Sequence, residues 1–212
     1  GGLTPGSMPC NSTNINEEGI YIDNWKIVDK GIFKEKAIKE KLLAGSYPAR
    51  SPSTNIADLK AQIAACKKGE IELLKIVNKY GLETVFRFQE LVCQNAEYAV
   101  RESIKTIKST EITYQMDNDL SGAVREIKIS LKPNTEDSSI EVDFSGTTMQ
   151  LESNYNAPLP VTRAAVLYAF RILTGGNIPM NSGIMKPIKI KIPKSLSLVH
   201  ISEPTRHCTI AY

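Results

Sequence analysis

The spacing of apolar residues changes along this chain, and the change limits the classes of fold open to it. Ile56, Leu59, Ile63 and Cys66 recur at intervals of three and four, and the pattern resumes at Ile71, Leu74 and Val77. Such spacing puts side chains on one face of a helix. Thr54 or Asn55 is the expected cap, with Asp58 in place of the usual capping glutamate, and Gly81 the expected stop. A second helix is expected from Glu83 to Ile107, carrying Val85, Phe88, Val92, Ala96, Ala99, Ser103 and Ile107 on one side. With so short a connection the two predict an antiparallel hairpin. Beyond Ile107 the period becomes two: Ile112, Tyr114 and Met116, then Ile127, Ile129 and Leu131, then Ile140, Val142 and Phe144. These read as strands, the last two as an antiparallel pair, with turn chemistry at Asp117-Asn118-Asp119 and over Pro133–Ser139.

The flanks repeat the alternation. Gly19 to Asp29 reads as a strand interrupted near Asp23-Asn24, and Lys34 to Leu43 as a short helix ended at Gly45, followed by a Ser46–Ser53 loop. Asn156 to Leu173 reads as a helix entered through Pro158 and Pro160 and stopped at Gly175-Gly176. Ile188, Ile190 and Ile192 alternate as a last strand. The expectation is α+β: an antiparallel or mixed sheet with a long helical hairpin and additional helices, part of a larger domain.

Composition narrows the function. Of 212 residues 42% are apolar and 23% charged, and the net charge of +3 comes from interspersed acids and bases. That is ordinary for a globular protein and lacks the basic stripe of a nucleic-acid surface. The longest apolar run, Ala164 to Phe170, lies between Arg163 and Arg171 and is too short to span a bilayer. Cys10, Cys66, Cys93 and Cys208 lie too far apart for a zinc knuckle or redox pair. Cys66 and Cys93 read as buried small hydrophobes, and with no disulfide pattern the expected compartment is the cytoplasm. The two histidines, His200 and His207, both fall in the Leu196–Tyr212 stretch, which resembles a translated sequencing adapter. That stretch is expected to be an artefact or a disordered tail. Residues before it hold no imidazole, so a Ser/His or Cys/His pair or an imidazole metal site cannot be built from them.

The chain opens Gly1-Gly2-Leu3-Thr4-Pro5-Gly6-Ser7-Met8-Pro9, a dense turn segment, followed by Glu17-Glu18-Gly19. Three more blocks stand out. They are Tyr47-Pro48 with Asn55 to Ala65; Val142-Asp143-Phe144-Ser145-Gly146-Thr147; and Asn156-Ala157-Pro158-Leu159 with Val161 to Ala169, then Ile178 to Gly183. In this order and spacing they resemble the hydantoinase B/oxoprolinase family over Gly1 to Lys194. The resemblance implies an internal segment of a subunit of an ATP-dependent enzyme that opens cyclic amides such as hydantoins or 5-oxoproline. ATP would be held by an A-type partner subunit or domain, and a divalent metal by ligands outside this segment. The isolated segment would be inactive. Related subunits of ATP-dependent ketone carboxylases are an alternative, and a non-catalytic scaffold segment of such a complex is another.

Several residues are candidates for contact with substrate, while the catalytic residues stay unassigned. Gly2 and Ser7 lie in the opening loop, whose amides suit an anion. Glu18 offers a carboxylate, though Glu17 and Glu18 point to opposite faces of an extended chain. Asp58 and Gln62 share a helix face, and Asp58 equally suits the helix N-terminus. Ser145 follows a strand end, where Gly146 suits a simple turn. Asn156 and Arg163 flank a helix entry, and Asn181 sits in a loop bounded by glycine. These three suit a carboxylated lactam or plain loop anchoring.

Overall fold

The computed structural model of the chain describes residues 12, 17, 19–116, 122, 124–150, 156–157, 159–175 and 178–192. It divides into two units, the chain passing from the first to the second inside one long helix between Ile76 and Val77, and Asn156 grouping again with the first.

In the first unit, β1 (Val28–Asp29) and β2 (Ile32–Phe33) form a hairpin. Lys30 and Gly31 both take positive φ, 50° and 79°, as a two-residue turn between right-twisted strands demands. The strand expected over Gly19–Asp29 is confined to its last two residues. Gly19 (φ 146°) and Asn24 (φ 42°) break the extended run, and the Asn24 amide donates to Asp23 Oδ1 at 2.8 Å. Helix α1 (Glu35–Leu43) ends before Gly45, whose φ is 83°. It buries Ile38 and Leu42 with Ala49 and Ile56, and Trp25, Ile27, Phe33 and Leu59 pack around them. Lys34 and Lys41 lie 5.9 and 5.4 Å from the Trp25 ring centroid.

Helix α2 (Pro52–Tyr80) starts earlier than the cap expected at Thr54 or Asn55. Proline has no N–H to leave unmatched in a first turn, so Pro52 opens the helix and shortens the expected loop. Beyond Leu59 its apolar stripe is only partly covered: Ile63 and Val77 are half-buried, Ile71 and Leu74 are exposed, and Cys66, expected inside, is exposed too. The period of three and four was right for a helix and did not tell what covers its face.

In the second unit, α3 (Leu82–Ile104) follows Gly81, whose φ of 82° ends the preceding helix. The two helices expected to pair as a hairpin thus divide between the units. α3 stops short of Ile107, and the chain tightens as Thr106 and Ile107 N–H donate to Ser103 and Ile104 carbonyls. Its buried residues are Ala96, Val100 and Ile104, with Cys93 half-buried, while Phe88 is exposed. The expected stripe was therefore correct only in its C-terminal half. Strands β3 (Thr110–Met116), β4 (Arg125–Asn134), β5 (Ser139–Asp143) and β6 (Ile188–Lys191) form one sheet in that order. The first two pairings are antiparallel and β5–β6 is parallel. Parallel neighbours need a crossover, and α4 (Leu159–Leu173) lies between them in sequence. That helix begins after Asn156 rather than at it. Pro133 is tolerated inside β4 because β3 starts at Thr110, opposite Leu131, so no strand pairs with Pro133 on that side.

The register sorts the sheet into two faces. Ile129, Leu131, Ile140, Val142, Ile188 and Ile190 point to a core shared with Ala96, Val100, Ile104, Val166 and Phe170. The opposite face carries Glu111 and Thr113 on β3, Lys128, Ser130 and Lys132 on β4, Glu141 and Asp143 on β5, and Lys189 and Lys191 on β6. No described helix is long and apolar enough to cross a membrane.

Candidate functional site

The polar face of the sheet holds the most developed cluster among the described residues. Register makes two cross-strand rows. Lys132, Glu141 and Lys189 stand side by side, and so do Ser130, Asp143 and Lys191. Opposite charges so placed attract. Asp143 is the pivot, only 7% exposed. Its Oδ1 accepts from the Ser145 N–H at 2.8 Å, and its Oδ2 accepts from Lys191 Nζ at 2.9 Å. Lys132 Nζ lies 3.5 Å from Oδ2 and 3.9 Å from Glu141. Hydrogen bonding from Ser145, then Lys191, holds the Asp143 carboxyl well below the usual carboxylate range. The same pairing raises the Lys191 ammonium.

Beyond Asp143 the chain folds back along β4. Thr147 Oγ1 accepts from the Lys128 N–H and donates to the Lys128 carbonyl, both at 3.1 Å. Thr148 Oγ1 accepts from the Glu126 N–H at 2.8 Å. Gly146 lies flat on the Lys128 stem, where a Cβ would come within 3.1 Å of Lys128 Cβ and Cδ. The Ser145-Gly146 turn thereby walls a cavity of about 230 Å³, floored by β3 and β4 and lined by Glu111, Lys128, Ser130, Lys132, Asp143 and Ser145 among others.

Of the described residues proposed from the sequence as substrate contacts, Ser145 lines this cavity. Asp58 and Gln62 are exposed on α2, in the other unit. Arg163 is exposed on α4. Asn156 lies in the loop before α4. Asn181 is an anchor: its Oδ1 accepts from the Gly183 N–H at 2.8 Å, and its Nδ2 donates to the Val92 and Pro179 carbonyls, each at 3.3 Å. Gly2, Ser7, Glu18 and the Asp117-Asn118-Asp119 turn lie outside the described residues, as do Leu196–Tyr212.

Sequence reasoning missed Lys132 and Lys191 because their partner lies on other strands; only the alternation of Lys and Glu on β4, β5 and β6 hinted at it. It also missed a second cluster in which Arg101 Nε and Nη2 donate to Glu97 Oε1 at 3.1 and 2.8 Å. Arg101 Nη1 reaches the Asp137 carbonyl at 2.6 Å, and Lys186 pairs with Glu97 Oε2 at 3.1 Å. Arg101, then Lys186, lower the Glu97 carboxyl. That cluster ties α3 to the β4–β5 turn.

The hydantoinase B/oxoprolinase family model matches residues 1–211. The chain belongs to this family. As a member of the hydantoinase B/oxoprolinase family it is 35% identical over 217 residues to 5-oxoprolinase 1 of Arabidopsis thaliana, covering 91% of this chain and 17% of that protein. Two solved structures share the fold. An ATP-dependent caprolactamase from Pseudomonas jessenii superposes with a TM-score of 0.71 at 19% identity, over 98% of this chain and 35% of that one. A nucleotide-free acetone carboxylase superposes with a TM-score of 0.72 at 16% identity, over 91% of this chain and 27% of that one. The chain spans about a sixth of the length of the first curated relatives it matches, 16% in two cases and 17% in a third.

The divalent metal that the family resemblance implies finds no fitting donor set among the described residues. No group of three or more His, Cys, Asp or Glu could hold an ion there. On the polar sheet face the carboxylates of Glu141 and Asp143 alternate with lysines, whose ammonium groups occupy the places a cation would need.

Proposed function

We infer that this chain is a section of an ATP-dependent enzyme that opens cyclic amides, with hydantoins or 5-oxoproline as the ring class. The observation that carries this reading is the family match over residues 1–211 together with the 35% identity to a 5-oxoprolinase. The chemistry explains why such an enzyme uses ATP. A ring amide resists water because resonance ties up its carbonyl carbon. Transfer of the γ-phosphoryl group to the amide oxygen releases ADP and makes that carbon electrophilic. Water then adds, the C–N bond breaks, and the phosphoryl group leaves to a second water. One ring, one ATP and two waters thus give ADP, phosphate and the ring-opened acid, which is an amino acid from 5-oxoproline and a carbamoyl amino acid from a hydantoin.

In this reading the nucleotide is held by an A-type partner subunit or domain, and this section contributes shape and polar groups to the ring's side of the complex. No step is assigned to a metal here, since the described residues do not fit one. The protein works in the cytoplasm, and Gly2, Ser7, Glu18, Asp58, Ser145, Asn156, Arg163 and Asn181 remain its candidate contacts to substrate.

A scaffold reading draws support from the way Asn181 and Asp143 use their polar atoms inside the fold. Alanine at Ser7, Glu18, Asn156 and Arg163 in the full-length complex separates the two. The substrate-site reading expects turnover to fall at least about tenfold, or 1.4 kcal/mol of transition-state binding, with subunit assembly unchanged. Lost assembly at unchanged turnover per assembled complex would support the scaffold.

A further inference from the structure

We propose that the cavity under the Ser145-Gly146 turn binds a small zwitterion carrying a carboxylate and an ammonium on one short chain, the class of molecule left when a lactam such as 5-oxoproline, rather than a hydantoin, is hydrolysed. This rests on the hydrolase reading above and names the place where this section meets the product.

The charges lining the cavity are of both signs. Lys128 and Lys132 project from β4 on the cavity side, Lys128 only loosely paired with Glu126 at 3.6 Å and Lys132 shared at 3.5 and 3.9 Å between Asp143 and Glu141. Asp143 is matched by Lys191 and the Ser145 N–H. Glu111, by contrast, has no ion-pair or hydrogen-bond partner among the described residues. A ligand of one charge would meet a like charge here, whereas a zwitterion meets an opposite one at each end.

Register gives the spacing. Glu111 stands opposite Ser130, which lies midway between Lys128 and Lys132 on the same face of β4. Glu111 is thus the diagonal neighbour of both lysines across the β3–β4 pair, about 7–8 Å from each. That separation suits a carboxylate and an ammonium joined by three or four carbons. Ser130 and Ser145 hydroxyls supply neutral partners for a carboxylate, and about 230 Å³ admits a molecule of that size. Gly146 keeps the wall thin at Lys128, because a side chain there would press on the lysine stem.

The test is a titration of the full-length enzyme, isotopically labelled only over these 212 residues, with 5-aminopentanoate and with L-glutamate, followed on the labelled backbone amides. The expected result is saturable binding in the range of about 1–10 mM, with shifts centred on Lys128, Ser130, Ser145 and Gly146. Glu111→Gln and Lys128→Gln should each weaken it about fivefold, the worth of one half-exposed ion pair. Lys105→Gln, just past the end of α3 and paired with Glu102 away from the polar sheet face, should leave it unchanged. Pentanoate and pentylamine, each with one charge, should bind at least about fivefold more weakly. The proposal is overturned by the absence of saturable binding, by shifts centred elsewhere, by pentanoate binding as tightly as 5-aminopentanoate, or by indifference to Glu111→Gln. Any of these leaves ATP-dependent ring opening by the full-length enzyme standing, since that is read from turnover and this from equilibrium binding.

Discussion

Gly183→Ala is expected to lower the melting temperature of the chain by about 6–12 °C, from a loss of about 3 kcal/mol. Gly183 is buried in the short 3₁₀ turn Ser182–Met185, pressed against α3. A Cβ at this position would sit 2.0 Å from the Cys93 carbonyl oxygen, 2.8 Å from the Cys93 carbonyl carbon and 2.9 Å from Asn181 Oδ1. The first two are helix backbone and the third is fixed by three hydrogen bonds, so no flexible side-chain end can yield. The turn would have to lift from α3, taking with it Ile184, which is fully buried in the core. Gly175→Ala makes the control. Its φ of 57° strains a side chain, but nothing lies within 4 Å of the new Cβ, so the cost should be about 1–2 kcal/mol. Thermal melts followed by circular dichroism would rank the two. Equal losses would show that close packing at Gly183 is not what holds the turn.

The second large effect is at Asp143. Asp143→Ala removes the acceptor of the Ser145 N–H and the partner of Lys191 in one step, and should cost about 2–3 kcal/mol. Asp143→Asn keeps an oxygen for Ser145 and loses the charge, so about 1 kcal/mol is expected. The pH dependence follows from the direction of the shift. An unfolded aspartate titrates near 3.9, and the folded Asp143 carboxyl titrates below that. In acid the unfolded chain therefore binds more protons, and stability rises with pH. The contribution is complete above about pH 5 and is lost as pH falls through the folded value. Glu97 and Asp137 are shifted the same way, but they are common to both proteins and cancel in the comparison. The difference in unfolding free energy between wild type and Asp143→Asn should thus be constant from neutral pH to about pH 5 and shrink below it. A difference that stays constant down to pH 2 would mean the carboxylate is not specially stabilised in the fold.

How far the fold could be read depended on how local its causes are. Strands β3, β4 and β5 were legible because each carries its own period of two, and the β4–β5 pairing because a turn joins them. Gly45 and Gly81 were legible as helix stops because each needs a positive φ that other residues resist. The N-terminal strand was misread because β-branched residues at Ile20 and Ile22 promise extension, while Gly19 and Asn24 bend the backbone. Exposure was illegible at Cys66 and Phe88, since a helical period marks a face without saying what lies against it. The candidate site divides the same way. Asp143-Phe144-Ser145-Gly146 stood out as a motif, and Ser145 was the residue chosen from it. Its neighbours Lys132 and Lys191 come from other strands, Lys191 from 48 residues away, and only the parallel β5–β6 register delivers it. Asn181 suited either a lactam or loop anchoring from its sequence; its tie to Val92, 89 residues away, exists only in the folded chain.

The central claim, that this is a section of an ATP-dependent enzyme opening cyclic amides, is tested most directly by product analysis on the full-length enzyme carrying this sequence, together with the A-type subunit or domain proposed for it. Incubation with 5-oxoproline or hydantoin and ATP should give the ring-opened acid and phosphate in equal amounts, and neither product should form without ATP. Consumption of a ketone with bicarbonate and ATP, with the ring amides left intact, would contradict it.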